Sequence, residues 1–163
     1  MMRQLASDSL WTREDDQKMM EKNPAFKKKS ALLDYDQQPV VRDLRAVGLD
    51  ITDVWDLVNT SDSYPEAIPV LLKHINLPYI RAIKEGIVRS LIVKESRPIA
   101  FRPVLAAYHA LADNDMDTYV YALVIGQAMT FEDIDEIITI IGGRVKHPSG
   151  HKVFIELLAR WRK

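Results

Sequence analysis

Cysteine is absent from the 163 residues. That excludes a disulfide scaffold, a thiolate zinc site, an iron–sulfur centre and a cysteine nucleophile together. It also fits a reducing cytoplasm, where the chain is expected to work. No window is apolar over the length of a membrane-spanning helix, and Met1 to Asp8 contain no apolar signal core. Neither a leader nor a membrane partner is therefore expected. Lysine and arginine are missing from the whole stretch Pro103–Gly143. Phosphate contacts need positive charge, so a chain of formal charge −1 with such a gap does not read as a general polyanion binder. What is present is 47% hydrophobic and 28% charged residues, the composition of an ordinary globular domain with room for one core.

Over the last hundred residues apolar side chains recur at three- and four-residue steps, the spacing of one helix face. Ile68, Leu71, Leu72 and Ile75 form one stripe, Phe101, Val104, Leu105 and Tyr108 a second, and Ile134, Ile137, Ile138 and Ile141 a third. Between them lie Ile80, Ile83, Ile87, Leu91; then Val120, Leu123, Val124; and finally Phe154, Leu157, Leu158, Trp161. Pro65 and Pro98 suit first turns, where a missing N–H costs nothing. Thr130, Asp117 and Ser149 are candidate caps, and Gly142-Gly143 reads as a helix stop. Pro65 to Pro98 is 33 residues and Pro98 to Thr130 is 32, the length of two helices with their turns. The β-branched run Ile137–Ile141 admits a strand, but its stripe keeps helical phase.

The first sixty residues are less regular. They predict a charged helix from Thr12 to about Lys22, then a second opened by Pro24 that Pro39 kinks or ends. A short stripe of Val40, Val41, Leu44 and Val47 stops at Gly48. A brief helix carrying Val54, Trp55, Leu57 and Val58 is capped by Asp50 or Thr52. Asn59 to Ser63 is a loop. The expected organisation is a flexible tail over 1–10 and one domain over 11–163. Within it, irregular helices occupy 11–60 and repeats run over about 64–94, 98–128 and 130–163.

Tyr64-Pro65-Glu66-Ala67-Ile68-Pro69-Val70-Leu71-Leu72-Lys73-His74-Ile75 resembles the outer helix of a HEAT-like repeat, and Pro78 to Leu91 resembles its inner helix. Leu44-Arg45-Ala46-Val47-Gly48 and Val54 to Asn59 are similar to the lead-in segment of small bacterial members. The likeness covers residues 40–163 and is clearest over 64–92. Lys146 to Lys152 depart from it, standing where a short glycine-arginine turn belongs. The resemblance implies an all-α fold, a right-handed α-solenoid of helical hairpins, and in most cases a protein-binding role without catalysis. Small bacterial members include immunity proteins that neutralise secreted toxins. Others are DNA glycosylases, whose pattern implies a basic concave face, or lyases and chaperones for chromophore-bearing proteins.

Catalytic groups are thin. His74, His109, His147 and His151 have no serine elbow or cysteine partner. His147 and His151 stand four apart, a zinc-ligand spacing on a helix, yet Pro148 and Gly150 argue against that helix and for surface loop histidines. Gly142 to Lys146 lacks the lysine-threonine or lysine-serine ending of a phosphate loop and follows no strand. Lys27-Lys28-Lys29 reads as a wet helix face, with Asp34 and Asp36 close by. Arg81, Lys84 and Arg89, with Trp55, are the only pieces a glycosylase could use. Arg89 lies within the apolar pattern of its helix and is expected to bridge repeats. No cofactor and no metal are expected.

Charge distribution says more. Residues 103–143 carry seven acidic groups and no basic one, while 144–163 carry six basic groups against Glu156. Asp113, Asp115 and Asp117 sit in one turn, and Glu132, Asp133, Asp135 and Glu136 open the next repeat. Stacked repeats set both groups on one edge, with Tyr119 and Tyr121 beside them as amphipathic contact area. The bland reading is that helix N-termini collect acids for their dipoles. The functional one is a partner-binding surface of Asp113, Asp115, Asp117, Tyr121, Glu132, Asp133, Asp135 and Glu136 for a basic protein, a toxin domain being the candidate.

Overall fold

The computed structural model describes residues 13–112 and 117–161. The expected tail over 1–10 lies outside them, as do Asp113 and Asp115. Among the described residues every segment with three-and-four spacing is helical, Ile137–Ile141 included, and there is no strand. The chain divides into two compact units, 1–35 and 36–163.

In the first unit, α1 (Arg13–Lys22) is strongly polar, and α2 (Pro24–Ala46) begins there. The Asn23 side-chain oxygen accepts the N–H of Ala25 at 3.0 Å and of Phe26 at 3.3 Å. Pro24 takes the first helical position, as expected, because its missing N–H would have had no partner.

Pro39 does not end α2, which runs on to Ala46. A proline forfeits one backbone bond and crowds the preceding turn. Directly after it, Val40 and Leu44 are 0% exposed, and the burial of that stripe outweighs the local penalty. The helix stops at Gly48, whose φ of 98° is left-handed and so natural only to glycine.

The second unit continues with α3 (Trp55–Asn59), α4 (Ala67–His74), α5 (Arg81–Arg89), α6 (Arg97–Ala110), α7 (Thr118–Ala128), α8 (Ile134–Gly142) and α9 (Pro148–Trp161). α4 packs on α5 and α6, α5 on α3 and α7, α7 on α6 and α9, and α8 on α9. Leu71, Ile87, Val104, Ile125, Ile137 and Phe154 are buried along these contacts. α7 is buried on most sides, as a helix apolar almost all round must be.

Four terminus expectations meet different outcomes. Pro98 lies at the start of α6, and Thr130 precedes a 3-10 turn over Phe131–Asp133 that leads into α8. The Thr130 N–H and hydroxyl both donate to Asp133 Oδ2 at 2.8 Å, the reach-back of a capping box. Asp117 makes no side-chain cap bond. Ser149 is the second residue of α9 and meets the Thr118 hydroxyl at 2.6 Å.

α9 overturns the expected loop. Pro148 starts the helix instead of preventing it, and the His151 N–H donates to the His147 carbonyl at 2.9 Å. Gly150 is there for contact: a Cβ would stand 2.7 Å from Tyr108 Cε2 and Oη. Without one, α9 lies directly on the Tyr108 ring. His147 is 3% exposed, not a surface residue, with its ring edge-on to Tyr108 at 4.9 Å.

Candidate docking surface

The acidic residues of the sequence divide into neutralised and open groups. Asp117, at the start of α7, accepts a forked pair from Arg81 of α5, with Arg81 Nη2 2.7 Å from Oδ1 and Nε 3.0 Å from Oδ2. Two parallel bonds of this kind hold both partners in plane. Asp133 is 9% exposed; besides capping the 3-10 turn it accepts from Arg102 of α6 at 3.2 Å. Glu136 takes the other arm of Arg102. The basic partners therefore arrive from 36 and 31 residues away and offset two of the seven negative charges that residues 103–143 carry in sequence.

Tyr121 does not belong to any surface. It is 2% exposed and inside the α7 core, which corrects its assignment as a contact residue. Tyr119 is half-buried, accepting a hydrogen bond from Arg89 while the guanidinium lies 5.5 Å from its ring centroid. Arg89 also donates to Glu85 at 2.8 Å. It thus joins α5 to α7, the bridging role its place in the apolar pattern suggested. Of the three basic residues on α5, both arginines are engaged with carboxylates.

Glu132 and Asp135 remain exposed. Between Thr130 and Glu132 sits a residue that the sequence reading passed over: Phe131, 81% exposed, the most exposed large apolar side chain among the described residues. Its signal was its position. The first residue after a capping threonine points away from the helix body, so an aromatic there has no core to enter. Ile138, 51% exposed, lies seven residues on, in α8 itself. The surface that emerges is an aromatic and an aliphatic side chain rimmed by Glu132 and Asp135.

A buried polar network lies elsewhere in the second unit. His74 is 2% exposed; its Nε2 lies 3.0 Å from Asp43 Oδ2 and its Nδ1 2.5 Å from the Tyr79 hydroxyl. The carboxylate only accepts, so Nε2 carries the proton and Nδ1 accepts from the tyrosine. Lys73 donates to the same Asp43 oxygen at 3.0 Å. Lys73 first, and His74 after it, hold the Asp43 carboxyl well below the usual carboxylate range, while burial pushes the Tyr79 phenol up. Asp36 accepts the Ile80 N–H at 2.7 Å just before α5. Together these bonds fix α2 to α4 and to the start of α5. Among the described residues no group of three histidine or acidic side chains is arranged to hold a metal, and no helix is long and apolar enough to cross a membrane.

Neither a family model, nor a curated protein, nor a solved structure matches this chain.

Proposed function

We propose that this chain is a non-enzymatic protein-binding module that docks a basic partner on the Phe131 end of α8. The observation that carries the reading is Phe131 itself, 81% exposed on a capped turn and followed directly by acidic residues. Exposing an aromatic ring costs hydrophobic free energy, and aromatic anchors ringed by polar groups are what interfaces use. Glu132 and Asp135 would steer positive charge toward it and raise the encounter rate. The packing of α5 on α7 and α7 on α9, with α4 on α6, supports stacked hairpins of the solenoid kind as the scaffold. The narrower identity, an immunity protein holding a toxin domain in the cytoplasm, rests on the HEAT-like resemblance alone.

The test is kinetic. With the partner recovered from the native host, F131S should speed dissociation, and E132K/D135K should slow association at low salt with less effect at high salt. Unchanged rate constants in both variants would remove this face from the account. An enzyme regulated by covalent modification as the sole partner would remove the toxin.

A further inference from the structure

Among the described residues of the second unit, the four most exposed large apolar side chains are Phe131 at 81%, Ile138 at 51%, Val145 at 50% and Ile155 at 49%. All four belong to the last hairpin, α8, its connector and α9. Leu32 and Tyr35 of the first unit are also exposed, but within the second unit no other hairpin concentrates such residues to this degree. The same hairpin is divided by charge. Residues 130–143 hold four acidic groups and no basic one, whereas 144–161 hold Arg144, Lys146, Lys152 and Arg160 against Glu156. An acidic helix with exposed apolar residues thus precedes a basic segment with exposed apolar residues.

We infer that a second copy of this chain docks on the last hairpin, α8 of each protomer lying against the connector and α9 of the other. The inference rests on the reading of α8 as a docking face and names its resident occupant. The chemistry that α8 asks for, aliphatic surface beside positive charge, is what Val145, Ile155 and Lys152 present; the Lys152 side chain is 79% exposed and is paired with Glu156 at 4.0 Å, an exposed i,i+4 contact weak enough for a carboxylate of the other protomer to compete with. Two α8 helices facing each other would set Glu132 and Asp135 against their own copies. A two-fold pairing of α8 with α9 instead satisfies both charges twice. It also covers the apolar residues of both halves. Phe131 leaves on the order of 150 Å² of ring outside, and the four residues together fall short of the roughly 800 Å² per partner of a standard stable interface. The dimer is therefore expected to be weak and salt-sensitive, and a basic partner binding α8 must displace it.

The test uses the full chain in sedimentation equilibrium at concentrations up to about 100 µM, the range in which a small interface associates. Wild type should dimerise, and raised salt should weaken the dimer. F131S should raise the dissociation constant at least about tenfold, since a truncated central anchor commonly costs that much. Two further variants fix the arrangement. E132K/D135K replaces both exposed acids of the first half with lysine and brings that half from −4 to 0, and K152E/R160E brings residues 144–161 from +3 to −1. Each should be monomeric alone, and an equimolar mixture should dimerise, because the introduced lysines then face the introduced glutamates while the other α8 and α9 keep their native charges. Circular dichroism of each variant establishes that the helices are intact, and all four altered side chains are exposed. A wild type that stays monomeric, variants that each dimerise alone, or a mixture that fails to pair would overturn the proposal. If wild type is monomeric while F131S still loses the foreign basic partner, self-association falls and the docking reading stands.

Discussion

Gly150→Ala tests the seat of α9, on which the geometry of the last hairpin depends. In a helix this exchange normally stabilises by about 1 kcal/mol, since alanine restricts the unfolded chain and favours helix. Here the added methyl would stand 2.7 Å from Tyr108 Cε2 and Oη and 3.1 Å from the Thr118 carbonyl oxygen. The ring cannot swing aside. It is 3% exposed, edge-on to His147 at 4.9 Å and to Phe154 at 5.4 Å. Overpacking of this kind costs about 1–3 kcal/mol, more than the helical gain returns. A net loss of up to about 2 kcal/mol lowers the melting temperature of a chain this size by up to roughly 8 °C. Thermal unfolding followed by circular dichroism measures it, and a double-mutant cycle assigns it. In a Tyr108→Leu background, G150A should be neutral or stabilising, because the clash is gone while the helical gain remains. A G150A protein that melts higher than wild type would refute the close approach of α9 to α6.

The Asp43 carboxyl is depressed below its ordinary value of 3.8, so its contribution to stability is complete above that value and fades as pH falls. Urea unfolding at about pH 5 and about pH 3 should show a loss for wild type that Asp43→Asn largely flattens; parallel losses would count against the network. Tyr121→Ala should cost about 3–5 kcal/mol of folding free energy, as core aromatics do, with destabilisation read by chemical unfolding. A folded, fully stable Y121A that binds its partner poorly would return Tyr121 to the surface.

Helix existence and phase were legible because the apolar stripes repeat without interruption from Ile68 to Leu158. Two errors share one cause, the weighting of a local rule above packing. Pro39 breaks a helix in isolation, yet Val40, Val41 and Leu44 find a core that carries α2 through it. Pro148 and Gly150 looked like loop residues, yet one suits a first turn and the other is the only residue that fits against Tyr108. The candidate surface was readable only in part, since charge along a chain is not charge in space. Arg81 and Arg102 stand outside the acidic stretch and were invisible to a count made within it, although they neutralise Asp117, Asp133 and Glu136. Tyr121 was taken for a surface residue by its proximity to aspartates, but α7 is buried on the side that carries it. His74 left a clue, three residues after Leu71 on the buried stripe of α4. Its partner Asp43 lies 31 positions earlier, which no local pattern reveals.

The central claim is that the Phe131 end of α8 is where this protein meets another macromolecule. A photo-crosslinking amino acid placed at position 131, and in a separate chain at Leu77, which is 40% exposed on the same unit, tests it in the native host. The account predicts a specific adduct from position 131, to a second copy or to a basic protein, and none from position 77. Adducts of equal yield from both positions, or none from 131, would contradict it.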